Sequence, residues 1–181
     1  MSDSNNLIEL ISKSDISTKI KKMGLDISSY YKDESVIFVV VLNGAAIFAA
    51  DLIRSVSIDC KLDFIKVSSY TGIRSDGKIN LEKDLSLDIC GKNIIIVEDI
   101  IDTGNTIKYL KKHMKMKNPK SIRIASFLIK PNSSDLSFDI DWIGFEISSE
   151  FVVGYGLDYN QELRNLSAVY KYRGSYLKNE F

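Results

Sequence analysis

The sequence predicts an α/β fold: an open, mainly parallel twisted sheet with helices on both faces. Three observations carry this reading. Val36 to Leu42 (VIFVVVL), Asn93 to Val97 (NIIIV) and Ser121 to Ile129 (SIRIASFLI) are apolar runs rich in β-branched residues, the pattern of strands buried on both faces. The first two lead through a turn into stretches with helical spacing, and such alternation marks a parallel sheet. The chain has 181 residues, 45% of them hydrophobic, enough for the core of one domain spanning 1–181.

The elements follow in order. From Asp15 to Tyr31 the apolar residues Ile16, Ile20, Met23, Ile27 and Tyr30 recur at three-to-four spacing, which predicts an amphipathic helix capped by Ser14. The Val36–Leu42 strand meets Asn43-Gly44 before an alanine-rich helix from about Ala45 to Ser55. Between Ser69 and Asn80 the stretch YTGIRSDGKI is polar and glycine-bearing, the composition of a hairpin or lid. The Asn93–Val97 strand is followed by an acidic turn and a helix from about Thr106 to Met116. Then come the Ser121–Ile129 strand and a further strand from Trp142 to Ile147. Both prolines, Pro119 and Pro131, fall in expected loops.

Composition narrows the chemistry. Lys plus Arg is 24 and Asp plus Glu is 24, a net charge of zero, so there is no overall electrostatic footprint for nucleic acid or an anionic membrane. No basic, then apolar, leader opens the chain, and no apolar run approaches the roughly 18 residues of a membrane span. Cys60 and Cys90 stand apart from each other and from any His; they are expected to be buried small hydrophobes in a reducing cytoplasm. His113, the single histidine, is expected on a solvated, lysine-rich helix face. A zinc hydrolase or a Cys-His nucleophile system is therefore disfavoured. Catalysis would rest on carboxylates, Lys, Arg, backbone amides and a hard metal.

The stretch VEDIIDTGNT, Val97 to Thr106, concentrates that chemistry. Glu98, Asp99 and Asp102 lie together with no Lys or Arg adjacent in sequence, which points to relief by something outside the chain. In an open parallel sheet, ligands bind beyond the C-terminal strand ends. Thr103-Gly104-Asn105-Thr106 leads into a helix whose free N–H groups and dipole would seat a phosphate. Carboxylates beside an anion seat would bind sugar hydroxyls or a magnesium ion, so a phosphorylated sugar meets both needs. The plainer reading is that Asp102 and Thr103 cap the helix and Glu98 is solvated. An aspartic protease is disfavoured, because that chemistry needs a second Asp sharing a proton and Asp-Thr-Gly occurs once.

VEDIIDTGNT resembles the phosphoribosyl-pyrophosphate motif of the type I phosphoribosyltransferases: two acidic residues, then Asp-Thr-Gly-x-Thr. LNGA at Leu42–Ala45 resembles the pyrophosphate loop of the hypoxanthine-guanine branch, Ser69-Tyr70 its flexible loop, and Lys130 in FLIKP its purine-binding lysine. Gly144 to Leu166, GFEISSEFVVGYGLDYNQELRNL, resembles the branch's C-terminal purine and metal segment. The match runs in order over nearly the whole chain.

The resemblance implies the type I fold with a small hood formed by the terminal segments, and transfer of phosphoribose from phosphoribosyl pyrophosphate to a 6-oxopurine. It implies that Glu98 and Asp99 hold the ribose hydroxyls and that Asp102 to Thr106 cradle the 5′-phosphate. Asn43 and Gly44, at a non-proline cis peptide, would join Arg164 in binding pyrophosphate. Asp102 would face purine nitrogen 7, and Lys130 would donate to the 6-oxo group. Phe151 would stack on the base, with Val152 giving a backbone contact. Asp158 would face Mg²⁺ through water, alongside Glu98 and Asp99, while Ser69 and Tyr70 would close as a lid. Read without the resemblance, Lys130 is a solvated strand-end lysine and Phe151 a core residue.

Many members of the branch carry Lys or Arg where this chain has Asn43, which removes a positive side chain from the pyrophosphate loop. The resemblance further implies a homodimer or homotetramer, with neither nucleic acid nor membrane as partner. Two alternatives stay open: a xanthine- or uracil-selective enzyme of the same fold, and a regulator of this fold that binds RNA.

Overall fold

The computed structural model describes residues 6–69, 79–130 and 136–173. Strand β1 (Leu7–Ile11) leads into helix α1 (Lys13–Tyr31). Ser12, not Ser14, is the cap: its backbone is still extended, its Oγ accepts the Asp15 N–H at 3.1 Å and donates to the Asp15 carboxylate at 2.6 Å. An N-cap residue must itself stand outside the helix, and Ser14 is already inside the first turn.

The remaining elements are β2 (Val36–Leu42), α2 (Ala46–Ser55), β3 (Cys60–Ser69), β4 (Ile79–Lys83), β5 (Asn93–Ile101), α3 (Asn105–Lys115), β6 (Ser121–Ile129), β7 (Trp142–Glu146), β8 (Val152–Val153) and β9 (Val169–Tyr172). Six strands form the main sheet in the order β4-β3-β2-β5-β6-β7. All its neighbours run parallel except β4, which is antiparallel to β3. Strands β3 and β4 flank the stretch expected to be a hairpin or lid. Tyr70 and the residues through 78 lie outside the described residues.

Strand β2 shows why helices cover both faces. Val36, Phe38 and Val40 pack with Ile16 and Ile20 of α1 and Phe48 and Leu52 of α2. The alternate residues Ile37, Val39 and Val41 pack with Ile107, Leu110 and Met114 of α3. A strand with both faces covered is apolar at every position rather than every second one. Strands β1, β9 and β8 make a separate three-stranded antiparallel sheet in that order, pairing Leu7 with Tyr172. This is the hood of terminal segments that the sequence predicts.

Several expectations change. Strand β5 continues past Val97 to Ile101, because Glu98, Ile100 and Ile101 pair with Ser126, Leu128 and Ile129 of β6; Glu98 and Asp99 therefore lie on a strand and not in a turn. Strand β3 is hidden in the sequence by Asp63. That carboxylate is buried because it accepts the Ser86 and Leu87 N–H groups at 2.7 and 2.8 Å. Cys60 and Cys90 are exposed, one starting β3 and the other in the turn before β5, where apolar character does not secure burial. His113 is not solvated: it is tucked against the segment after β4, with Nε2 2.8 Å from Asp84 Oδ1 and its side chain 17% exposed. No helix among the described residues is long and apolar enough to cross a membrane.

Candidate active site

Strands β2 and β5 are neighbours, but the chain leaves β2 for β3 on one side and β5 for β6 on the other. Such a divergence opens a crevice at the C-terminal strand ends. The loop after β2, the end of β5, the turn into α3, the end of β6 and the segment 156–164 all converge on it.

The peptide between Leu42 and Asn43 is cis, as the resemblance implies. Gly44 follows with no room for a side chain: an added Cβ would lie 1.5 Å from Asp99 Oδ2. On the other side, a Cβ on Gly156 would lie 2.2 Å from the Gly44 carbonyl oxygen. The loop backbone is thus held between the Asp99 carboxylate and the C-terminal segment, which needs glycine at both places.

The turn into α3 has the form of an anion seat. Gly104 is its N-cap, at φ 72°, and no side chain caps the helix. The Asn105 N–H to Thr103 Oγ1 distance is long, 3.5 Å. Capping therefore does not explain Asp102 and Thr103. Residues Glu98 and Ile100 to Ile107 line a cavity of about 110 Å³, several water volumes in size, beside the positive end of α3.

The acidic residues differ sharply from one another. Glu98 is buried, and its Oε2 has no hydrogen-bond partner among the described residues. Burial first, then the charge of Asp99, pushes its carboxyl well above the usual carboxylate range. Burial raises Asp99 too, opposed by a hydrogen bond from Glu98, by the Ile100 N–H at 2.8 Å and by the Arg164 charge. Asp102, in contrast, is about half exposed, and Lys130 Nζ donates to its Oδ2 at 3.1 Å. The lack of a basic neighbour in sequence is thus made good from β6. Lys130 itself is only 20% exposed, so it is not a solvated strand-end lysine.

Arg164 is fixed by three acceptors: the Gly156 carbonyl at 2.7 Å, Gln161 Oε1 at 3.0 Å and Asp158 Oδ1 at 2.7 Å. Asp158 Oδ2 also accepts the Gln161 N–H at 2.8 Å. Val152 is buried in the hood sheet, paired with Lys171. Phe151 is half-buried at the edge of that sheet and outside the main core. Ser69 ends β3, its backbone paired with Ile79; Tyr70 is outside the described residues.

This gathering of parts along the crevice can be set beside known proteins. Residues 11–160 match the phosphoribosyl transferase domain model. The chain is 38% identical to the hypoxanthine phosphoribosyltransferase of Haemophilus influenzae, over 90% of this chain and 93% of that one. It is 41% identical to the hypoxanthine-guanine phosphoribosyltransferase of Bacillus subtilis, over 87% and 88%. A crystal structure of a hypoxanthine-guanine phosphoribosyltransferase from Bacillus anthracis superposes with a TM-score of 0.87 at 39% identity, covering 92% of this chain and 98% of that one. The chain belongs to the hypoxanthine-guanine phosphoribosyltransferase family.

Hypoxanthine-guanine phosphoribosyltransferases typically use Mg²⁺. Among the described residues no three His, Cys, Asp or Glu side chains converge to hold a metal, and Asp158 is engaged by Arg164. Glu98, Asp99 and Asp158 accordingly form no closed cage. They do supply oxygen donors, one of them an unpartnered buried carboxylate oxygen. That set suits a hard cation completing its shell with water and substrate phosphate.

For this phosphoribosyltransferase, sequence reasoning missed Gly156, which seats Arg164 and abuts Gly44, and the ring pair Tyr159 and Tyr172 beside Phe151. The Gly154-Tyr155-Gly156 spacing was the available signal for the first: both glycines have positive φ. Nothing local announces that Tyr172 reaches Tyr159.

Proposed function

We propose that the crevice transfers phosphoribose from phosphoribosyl pyrophosphate to hypoxanthine or guanine, releasing IMP or GMP and pyrophosphate, as a step of purine salvage. The observation that carries this reading is the Lys130–Asp102 pair at 3.1 Å. It sets a donor and an acceptor side by side at the tips of two neighbouring strands. A 6-oxopurine protonated at nitrogen 7 offers the complement: the 6-oxo acceptor beside an N–H donor. Adenine offers an amino donor where the oxo group stands, and would set it against the Lys130 ammonium.

The remaining binding roles are those the resemblance implies. The N–H groups of the turn from Asp102 to Thr106 cradle the 5′-phosphate, and Glu98 and Asp99 accept the ribose hydroxyls. Asn43 and Gly44 present backbone to the pyrophosphate, with Arg164 supplying charge from the opposite wall. Phe151 stacks on the base and Val152 gives it a backbone contact. By the resemblance alone, Ser69 and Tyr70 would close over the reacting centre. When bound, Mg²⁺ would be held through Glu98, Asp99 and Asp158, with water between, and would neutralise the pyrophosphate leaving group.

The bond from ribose carbon 1 to pyrophosphate breaks as purine nitrogen 9 attacks, and the sugar passes through an oxocarbenium-like state. Positive charge grows on the purine as nitrogen 9 gives up its electron pair. Asp102 accepts a hydrogen bond from the nitrogen 7 N–H that strengthens as that charge grows, and takes the proton. Lys130, released from Asp102 by the base, holds the 6-oxo group and fixes the attack angle. Closure keeps water from capturing the sugar cation.

The test is turnover of phosphoribosyl pyrophosphate with magnesium and hypoxanthine, guanine, xanthine, adenine or uracil, each offered alone. The expected result is nucleotide formation with hypoxanthine or guanine and a preference over adenine on the order of 10⁴, the scale set by leaving a site's polar group unpaired. Turnover with uracil alone, or with none, would overturn the assignment.

A further inference from the structure

Phe151, the ring proposed to stack on the base, belongs to an aromatic cluster at the hood that neither the phosphate cradle nor the metal donors use. Tyr159 and Tyr172 stack with centroids 4.7 Å apart and planes 27° from parallel. Both meet Phe151 edge-on: Tyr159 at 6.1 Å and 83°, Tyr172 at 6.4 Å and 71°. Edge-to-face contacts at such distances hold a ring's tilt as well as its position. The main chain reinforces them, since the Tyr172 N–H donates to the Phe151 carbonyl at 3.1 Å. One residue earlier in each segment, Lys171 Nζ pairs with Glu150 Oε1 at 2.8 Å.

The three rings come from distant parts of the chain. Tyr172 lies on β9 between β1 and β8, Phe151 immediately precedes β8, and Tyr159 follows Asp158, the residue that holds Arg164. All three are half-buried rather than core. A cluster meant only to fasten the hood would bury its rings as Val153 and Val169 are buried, at 0% exposure.

We infer that Tyr172 is a positioning residue for base recognition: with Tyr159 it forms a buttress that sets the plane of Phe151 against the purine. The hood strand β9, otherwise remote from the phosphate cradle, thereby tunes affinity for the base. This rests on the proposed stacking of the base on Phe151. The effect should fall on the base before phosphoribosyl pyrophosphate, because the rings that Tyr172 meets are those of Phe151 and Tyr159.

The experiment is steady-state kinetics of the whole chain with Tyr172→Val, which keeps a strand-forming residue, and Tyr172→Phe, which keeps the ring. Tyr172→Val should raise KM for hypoxanthine or guanine roughly 3- to 10-fold, the scale of an aromatic pair. KM for phosphoribosyl pyrophosphate and kcat should stay within about twofold. Tyr172→Phe should restore the wild-type base KM. If Tyr172→Val does not fold, Tyr159→Leu carries the same expectation. An unchanged base KM in a folded variant, or equal losses for both substrates, would overturn the inference and leave a purely structural cluster. A wild-type chain that uses no purine would instead overturn the proposed function, so the two failures are distinguishable.

Discussion

Lys130 and Asp102, 28 residues apart in sequence, meet at 3.1 Å because β5 and β6 run parallel with Ile101 opposite Ile129. Each strand ends one residue before its member of the pair. The register alone brings the two groups together, and the Lys130 N–H donates to the Ile101 carbonyl at 3.1 Å to continue it. Each charge satisfies the other, and in the proposed reaction the purine would separate them.

That exchange predicts non-additive mutants. Asp102→Asn should lower kcat by on the order of 10²–10⁴, the usual contribution of a positioned acid or base. Lys130→Ala should raise KM for the base, and the double variant should lose less than the sum of the two, by about 0.5–3 kcal/mol. Kinetics of the four proteins checks this; strict additivity would mean that the pair does not act as a unit.

Gly44→Ala should damage phosphoribosyl pyrophosphate binding more than the fold. The new Cβ would fall 1.5 Å from Asp99 Oδ2, the far end of a side chain, so the carboxylate gives way. Overpacking of this kind costs about 1–3 kcal/mol, and it would draw Asp99 away from the ribose hydroxyls it is proposed to accept. Thermal melting with and without phosphoribosyl pyrophosphate is the measurement: the ligand-induced rise in Tm should disappear while the apo Tm falls by several degrees.

Glu98→Gln should trade function for stability. Burial holds the Glu98 carboxyl well above the usual carboxylate range, so folding at neutral pH draws a proton onto it, a cost that an amide avoids. The variant should melt a few degrees higher, at about 2–4 °C for each kcal/mol gained, and bind phosphoribosyl pyrophosphate more weakly. A lower Tm would show that the buried carboxyl is already compensated.

Asp84 sets an acid limit on stability. Burial pushes its carboxyl up, but the Lys117 ammonium, His113 and the Leu85 N–H together outweigh it and bring the pKa down to about 2. A carboxyl lower in the folded than in the unfolded chain stabilises above its unfolded value, near 3.9, and that contribution is lost as pH falls toward 2. Asp84 is 38% exposed, so solvent screening keeps the gain small. Urea melts at pH 7 and pH 3 should therefore differ less for Asp84→Asn than for the wild type.

Much of the fold was legible because buried parallel strands are apolar at every position. VIFVVVL, NIIIV and SIRIASFLI declared themselves, and the α1 pattern did so through its helical period. β3 did not: Asp63 interrupts its apolar positions, and the partners that let a carboxylate be buried there include the Ser86 and Leu87 N–H groups and the Lys83 ammonium, about twenty residues away. Cys60 and Cys90 misled for the converse reason, since residue type predicts burial only where an element's face is covered.

The sequence by itself determined the sheet's buried strands, the glycine-bearing turn before α3 and, through VEDIIDTGNT, the acidic residues beside it. Each is a property of neighbours within a few positions, where backbone period and residue type suffice. The tertiary structure alone decided that Glu98 is buried while Asp102 is half exposed and paired with Lys130. It also decided that Gly44 lies between Asp99 and Gly156, and that Tyr172 reaches Tyr159 and Phe151. Those relationships depend on strand order, register and the return of the C-terminal strand to the N-terminal one. Such long-range placement is set by the packing of the whole core, and no local stretch of sequence encodes it.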